Sequence, residues 1–244
     1  MRNVSLVLAY DGTNYHGWQR QPGVVTVEQK LRDALQKILN HETKIYAGAR
    51  TDKGVHAMDQ VVNFLTEKDI APQNLSRGLN SLLPRDIRVM AARDVDEEFH
   101  ARYSARSKTY VYCILNELPV SPFLIRYVLH WPHNLDVAAM KEAASSILGE
   151  HDFSAFKKKD EFYRNPVREV KKARVTKRAG MIYVILEGTG FLRYMVRTIS
   201  GTLIQAGQGK ISPGDFRDVL ASKERERAGP TLPAHGLFLK KITY

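Results

Sequence analysis

The order in which hydrophobic patterns follow one another constrains this chain most. NVSLVLAY (3–10) is a short apolar strand, and TVEQKLRDALQKILN places Val27, Leu31, Ala34, Leu35 and Ile38 on one helical face, with Thr26 and Gln29 at capping-box spacing. KIYAGA (44–49) and DQVVNFLT (59–66) are strand-like. APQNLSRGLNSLLP sets Leu75, Leu79, Leu82 and Leu83 at helical spacing before Pro84 stops it, and DIRVMAARDV (86–95) is a further strand. Strand, helix, strand, strand, helix, strand is the βαββαβ order of a ferredoxin-like unit.

The second half repeats the plan without repeating the residues. SKTYVYCILN (107–116) reads as a strand, NLDVAAMKEAASSILGE as a helix, and REVKKARVTK with MIYVILEG as a hairpin turning at 178–180. GFLRYMVRTISGTLIQAG reads as a helix over 190–207, a shorter helix starts near Ser212, and GLFLKKITY (236–244) closes as a strand. The expected class is α+β, with two ferredoxin-like domains over 1–103 and 104–244 that meet in the polar, basic stretch FHARYSARS.

Charge narrows the partner. The 244 residues carry a formal net charge of +11, and a globular chain this basic attracts polyanions, of which nucleic acid is the commonest. Most of the excess lies in KKKDEFYRNPVREVKKARVTKR (157–178), which holds ten Lys or Arg against three Asp or Glu. Phe153, Phe156, Phe162 and Tyr163 precede or interleave with these cations. Lys and Arg contact phosphates and aromatic rings stack on exposed bases, so the segment reads as an RNA or DNA surface; a solvated hairpin face is the plainer alternative. The loop YDGTNYHGWQRQPG, with Tyr10, Tyr15, Trp18 and Arg20, suits nucleic-acid contact, an interface loop or a packed cover over the end of the sheet.

Other classes are disfavoured. Cys113 is the single cysteine and lies in an apolar run, so it reads as a small core residue with no disulfide partner and no CxxC metal knuckle. The eight histidines form no HExxH pattern, no P-loop or GxGxxG precedes a helix, and the carboxylates show no magnesium-like cluster. No metal and no nucleotide cofactor is expected. No apolar run approaches the roughly 18 residues of a membrane span, and the start of the chain lacks the pattern of a signal peptide. The reading is a reducing, cytoplasmic compartment.

One carboxylate stands out. AGARTDKGVHA (47–57) sets Asp52 among Arg50, Lys53 and His56 in a glycine-punctuated turn. Neighbouring cations favour the ionised form. An ionised carboxylate is a poor general acid but suits a nucleophile, a weak base or a cation ligand. Asp-x-Gly is also ordinary turn chemistry, and only the density of cations exceeds what a turn needs. Elsewhere, Lys108, Tyr110 and Tyr112 share one strand face. Arg193 and Arg197 fall four apart beside the apolar face of their helix, with Asp52 a candidate partner.

Ordered blocks along nearly the whole chain resemble the bacterial tRNA pseudouridine synthase A (TruA) family: YDGTNYHGWQRQ at 10–21, GARTDKGVHA at 48–57, FHARYSARSKTYVY at 99–112, HDFSAF at 151–156, GFLRYMVRTISGTL at 190–203 and AHGLFL at 234–239. The resemblance implies an isomerase that cleaves the C1′–N1 bond of a uridine, turns the base and rejoins it through C5 at positions 38, 39 and 40 of the tRNA anticodon stem-loop. It implies no cofactor and no catalytic metal. It also implies two ferredoxin-like halves in one continuous, mostly antiparallel sheet flanked by helices, with a basic cleft between them, and a homodimer. By residue, it implies that Asp52 is the essential aspartate, Tyr110 packs on the uracil, Arg197 pairs with the aspartate and Leu237 helps wall the base pocket. Arg50 and Lys53 would meet phosphate, as would Arg20 and Lys157, Lys158 and Lys159 on the basic segments. Lys108 stands where the family pattern expects arginine, and lysine keeps the charge without the bidentate fork.

A base inside a stacked stem is unreachable, so such an enzyme must flip its nucleotide out. Attack at C1′, attack at C6 and removal of the C2′ proton all require an ionised carboxylate. Two other readings compete. One is a non-catalytic RNA-binding protein or chaperone, against which stands the lack of an RNP1-type motif. The other is a metal-dependent nuclease built on Asp52, Asp11 or Asp59 with His56.

Overall fold

A computed structural model describes all 244 residues. It is a mixed α+β protein whose ten strands pair mostly antiparallel, with five α-helices. The chain divides into two compact units, one of residues Met1–Arg106 with Phe238–Tyr244, the other of Ser107–Leu237.

In the first unit, β1 (Arg2–Tyr10) pairs antiparallel with both β3 (His56–Thr66) and β4 (Ile87–Val95). The short β2 (Tyr46–Ala47) pairs antiparallel with β3 on its other edge. The order β4-β1-β3-β2 is that of the ferredoxin-like plan. Farther along the same edge of β3, the last strand, β10 (Leu237–Thr243), pairs in parallel through Phe238 and Leu239 with His56 and Ala57. Alternation explains the buried face: Val4, Leu6 and Leu8 are buried, opposite Phe64, Val62 and Gln60.

Helix α1 (Val27–Leu39) begins where the Thr26 hydroxyl accepts the Gln29 amide, and buries Val27, Leu31, Ala34, Leu35 and Leu39. Helix α2 (Pro72–Leu82) buries Leu75 and Leu79, and Leu83 just beyond it is buried too. Leu82, expected on that face, is exposed. A Cβ at Gly78 of α2 would lie 3.1 Å from Ile38 Cδ1, so the two helices meet closely there.

The opposite sheet face holds a polar clamp. Asn63 donates to Asn3 Oδ1 at 3.0 Å and accepts the Ala101 amide at 2.8 Å, while Asn3 donates to the carbonyls of Asp96 and Phe99 at 2.9 Å. The Tyr244 hydroxyl donates to the Ala101 carbonyl at 2.8 Å. The stretch FHARYSARS has the composition of a linker, but these bonds fix its first part to the sheet.

In the second unit, β5 (Ser107–Leu115), β9 (Met181–Gly188), β8 (Val167–Arg178) and β7 (Gly149–Asp152) lie side by side in that order, all antiparallel. β6 (Leu129–His130) adds to β5 in parallel. The β8–β9 hairpin turns through Ala179 and Gly180, both at positive φ, as a two-residue turn matched to strand twist requires. Helix α3 (Val137–Ser145) is capped by Asp136, which accepts the amides of Ala138 and Ala139. It ends sooner than its apolar pattern suggests, and β7 follows at Gly149 (φ +94°).

Helix α4 (Met195–Gly207) also differs from expectation. Tyr194 takes a left-handed conformation (φ 68°), so the helix starts at Met195 and Arg193 precedes it. Helix α5 (Pro213–Ser222) carries a full capping box between Ser212 and Asp215. Phe153, Phe156, Phe216, Ile199 and Leu203 are fully buried in this unit.

One face of α4 carries small residues that receive the segment 229–232. A Cβ at Gly201 would sit 1.9 Å from the Pro230 carbonyl oxygen, and Thr202 Oγ1 accepts the Gly229 amide at 2.9 Å. Gly201→Ala is therefore expected to destabilise the protein by about 1–3 kcal/mol through overpacking against backbone, read from urea unfolding; unchanged stability would contradict this contact.

Burial pushes the Cys113 thiol up to about 11. Its thiolate is scarce at pH 8, and the higher nucleophilicity of a high-pKa thiolate offsets part of that loss, so labelling by a thiol reagent should be about 10-fold slower in the folded chain than in urea-unfolded chain. Equal rates would show an accessible thiol.

Candidate active site

In the first unit, the loop carrying Asp52 runs from β2 to β3 and is fastened on both sides. From beneath, the buried amide of Gln60 on β3 donates to the Ala49 carbonyl at 2.7 Å and accepts the Ala49 amide at 3.1 Å. Next to it, the Gly48 amide donates to Val61 O at 2.8 Å. The Tyr10 hydroxyl meets Thr51 Oγ1 at 2.7 Å, and burial pushes the Tyr10 phenol up, so it remains a neutral hydroxyl. Within the loop, the Val55 amide donates to the Asp52 carbonyl at 3.1 Å, closing a turn in which Gly54 has φ +78°. Asp-x-Gly thus does make a turn, through the Asp52 backbone. Asp52 itself is partly exposed between a buried Thr51 and an exposed Lys53.

From above, residues 11–18 cover the loop. The Trp18 amide donates to Thr51 O at 3.0 Å, and the Gly54 amide to Tyr15 O at 3.3 Å. Two glycines permit this approach: a Cβ at Gly12 would lie 2.0 Å from Val55 O, and one at Gly17 (φ +87°) would lie 2.5 Å from Thr51 O. The aromatic residues of this stretch face inward. Tyr10, Tyr15 and Trp18 are buried, and Tyr15 donates to Asp86 Oδ1 at 2.5 Å. The burial of these rings fits a packed cover, and Arg20 remains exposed on it.

The three basic residues near Asp52 separate. Arg50 and Lys53 are exposed. His56 is buried, stacks on Phe238 at 4.7 Å, and turns Nδ1 toward the Gly12 amide and Asp11 Oδ1, each at 3.1 Å. It serves as a post under the covering loop.

In the second unit, Tyr110 and Tyr112 of β5 lie opposite Leu186 and Val184 on the buried face. Tyr110 meets Phe191 edge-on, with centroids 5.3 Å apart. Tyr112 donates to Pro233 O at 2.8 Å, and burial pushes its phenol up against the opposing pull of the Arg197 charge. A Cβ at Gly236 would lie 2.8 Å from the Tyr112 ring, so only glycine lets the chain pass there before the buried Leu237.

Arg197, in the first turn of α4, is held in place. Its Nε donates to Leu232 O at 2.6 Å, its guanidinium lies 4.7 Å from the Tyr194 ring centroid, and the Leu232 amide donates back to Arg197 O at 3.4 Å. The Thr198–Thr231 hydroxyl contact at 2.9 Å adds to this, so the small-residue face of α4 sets the Leu232 carbonyl that aims Arg197. Arg193 is exposed and also lies over Tyr194, at 5.3 Å.

The basic segment is divided in use. Phe153 and Phe156 are core, whereas Phe162 is 89% exposed. Lys157 Nζ donates to the Glu161 carbonyl, Lys158 is half-buried, and the exposed Lys159 approaches Glu226 at 3.4 Å. On β8, Lys172 pairs with Glu187 at 2.8 Å and holds that carboxyl low, and Lys177 donates to Asn116 at 3.0 Å. Arg164, Arg174 and Arg178 are exposed.

Gln60, Thr51, Gly12, Gly17 and the Leu232 carbonyl escaped the sequence reading. Gln60 alone left a signal, as a polar residue at an inward position beside Val62 and Phe64. No group of three or more His, Cys, Asp or Glu side chains is placed to hold a metal ion, and no helix is long and apolar enough to cross a membrane.

Comparison with known proteins bears on this geometry. A family model described as tRNA pseudouridine synthase matches residues 6–104 and 143–244. The chain is 46% identical over 244 residues to tRNA pseudouridine synthase A of Thermoanaerobacter sp. (strain X514), covering all of both chains. It is 41% identical over 244 residues to tRNA pseudouridine synthase A 2 of Clostridium perfringens, again covering both completely. Among solved structures, a chain of a Cbf5-Nop10-Gar1 complex aligns at 18% identity over 82% of this chain and 54% of that one, with a TM-score of 0.32, too low to bear on the fold. An ordered set of motifs, a family match across both units and full-length relatives at this identity lead to one conclusion: the chain belongs to the tRNA pseudouridine synthase family, isomerases that convert uridine in tRNA to pseudouridine.

Proposed function

We propose that this enzyme acts on the anticodon stem-loop, at uridines 38, 39 and 40, with Asp52 as the catalytic carboxylate. The observation that carries the assignment of Asp52 is the double fastening of its loop. Backbone on both sides of a partly exposed aspartate is bonded to β3 from beneath and to residues 11–18 from above. A group that must meet one reacting atom gains most from such preorganisation.

The isomerisation balances within one nucleotide. The C1′–N1 bond breaks, a C1′–C5 bond forms, the proton leaves C5 and N1 gains one. No co-reactant is consumed, so the chain has only to flip the base, hold it and supply an ionised carboxylate. In this reading Tyr110 and Leu237 give apolar surface to the uracil, and Arg197 is the cationic partner of the aspartate. Arg50, Lys53 and Arg20, exposed around the covered loop, meet phosphates, as do Lys157, Lys158 and Lys159. The enzyme works as a homodimer in the cytoplasm.

Tritium release from tRNA carrying 5-tritiated uridine, in EDTA, tests the chemistry. Wild type should release tritium and Asp52→Ala should not, while the variant's Kd for tRNA stays within about threefold. Release by Asp52→Ala would remove Asp52 from the chemistry. Transcripts retaining a single uridine at position 38, 39 or 40 should each release tritium; release only from transcripts with uridine elsewhere would overturn the site assignment. Sedimentation should give twice the chain mass, and a monomer would refute the dimer.

Arg197→Lys keeps the charge but loses the Nε bond to Leu232, so the cation is no longer aimed. We expect kcat to fall about 10- to 100-fold with little change in KM. Wild-type kcat in this variant would show that charge without geometry suffices.

A further inference from the structure

The loop between Phe156 and Val167 presents one large apolar side chain to solvent. Phe162 is 89% exposed, although Phe153 and Phe156, a few residues earlier, are fully buried. Its neighbours explain why it stays out. Glu161 and Tyr163 are bonded to each other, with the Tyr163 hydroxyl donating to Glu161 Oε1 at 3.1 Å and accepting the Arg193 amide at 3.0 Å. The Lys158 amide donates to Arg193 O at 2.8 Å, and Lys157 Nζ is bonded to the Glu161 carbonyl. At the far end, Asn165 accepts the Val167 amide at 2.9 Å and the Phe153 amide donates to Pro166 O at 3.3 Å. The loop is thus tied at its base, with Phe162 held between two anchored residues.

The chemistry around Phe162 selects its partner. Between Lys157 and Asn165 the sequence is KKKDEFYRN, with no aliphatic residue. A protein-docking site needs a contiguous apolar patch, and this stretch of chain supplies no other apolar side chain toward one. An exposed ring in a stretch where Lys157, Lys158, Lys159 and Arg164 outnumber Asp160 and Glu161 is instead what a single-stranded or unstacked nucleotide requires, with the ring for the base and the cations for its phosphates. The same loop is bonded to Arg193, whose guanidinium shares the Tyr194 ring with that of Arg197. A base held on Phe162 would therefore be anchored to the segment that starts α4 and aims Arg197.

We infer that Phe162 is a nucleobase-stacking residue for the tRNA substrate, contacting a base other than the one isomerised and contributing to binding without entering the chemical step. This rests on the reading of the surrounding lysines as RNA contacts. Loss of one base–aromatic stack weakens binding by about 5- to 150-fold. Phe162→Ala is accordingly expected to raise both Kd for tRNA and KM for tritium release within that range, with kcat and thermal midpoint unchanged. Its slope of log Kd against log salt should match wild type, whereas Lys159→Ala lowers the slope by about one. Phe162→Trp should restore binding, with added indole emission that tRNA quenches; Phe162→Leu should not restore it. Wild-type Kd and KM in Phe162→Ala, or full rescue by leucine, would overturn the stacking role. A wild-type enzyme that binds tRNA yet releases no tritium would instead sink the catalytic reading, and the stacking role would still be judged by Kd alone.

Discussion

One buried side-chain amide sets the position of the loop that carries Asp52. Gln60 uses its oxygen and its nitrogen on the two backbone groups of Ala49, three residues before Asp52. A buried backbone group left without a partner costs about 1–3 kcal/mol, so this pairing decides where the chain may leave β2. The rest of the first unit reinforces it. Thr51 is bonded by its side chain to Tyr10 and by its carbonyl to Trp18, and Gly12 and Gly17 let the covering residues come within backbone contact. Asp52 is left partly exposed on a loop held in a fixed frame.

The second unit uses the same principle with different residues. Arg197 is aimed by a carbonyl, that of Leu232, and the carbonyl is placed by a close helix–backbone contact along Thr198, Gly201 and Thr202. A long flexible cation gains geometric value only when its rotamers are restricted. Here a hydrogen bond on one side and the Tyr194 ring on the other provide that restriction. Tyr112 and Gly236 do the same for the approach to Leu237.

Much of this was legible in the chain. Strand alternation and helical spacing located β1, β3, β4, β5, β8, β9 and all five helices, because burial on one face imposes a period whatever the tertiary partner. The departures have specific causes. Arg193 and Arg197 look like an i, i+4 pair until Tyr194 adopts a left-handed conformation and shortens the helix. Leu82 fits the apolar stripe of α2 yet lies at its last position, where the face turns to solvent. Tyr15 and Trp18 sit in a glycine-rich polar stretch whose sequence leaves exposed and packed roles open, and the neighbouring glycines allow it to fold back over Thr51. In KKKDEFYRN the cations are visible, whereas the split between buried Phe156 and exposed Phe162 is not.

The sequence by itself determined the class of fold, the basic character, the family motifs and the identity of the lone acid among cations. Those follow from periodicity, charge and residue order, which are local properties. The tertiary structure was needed to show that the last strand pairs with β3 beside His56, that one glutamine secures the loop carrying Asp52, and that His56 supports the covering loop. Each of these is a tertiary pairing, 11 residues apart for Gln60 and Ala49 and 44 for His56 and Gly12. Many partners would satisfy such a group's hydrogen bond or burial, and the choice among them is made by packing the whole unit at once.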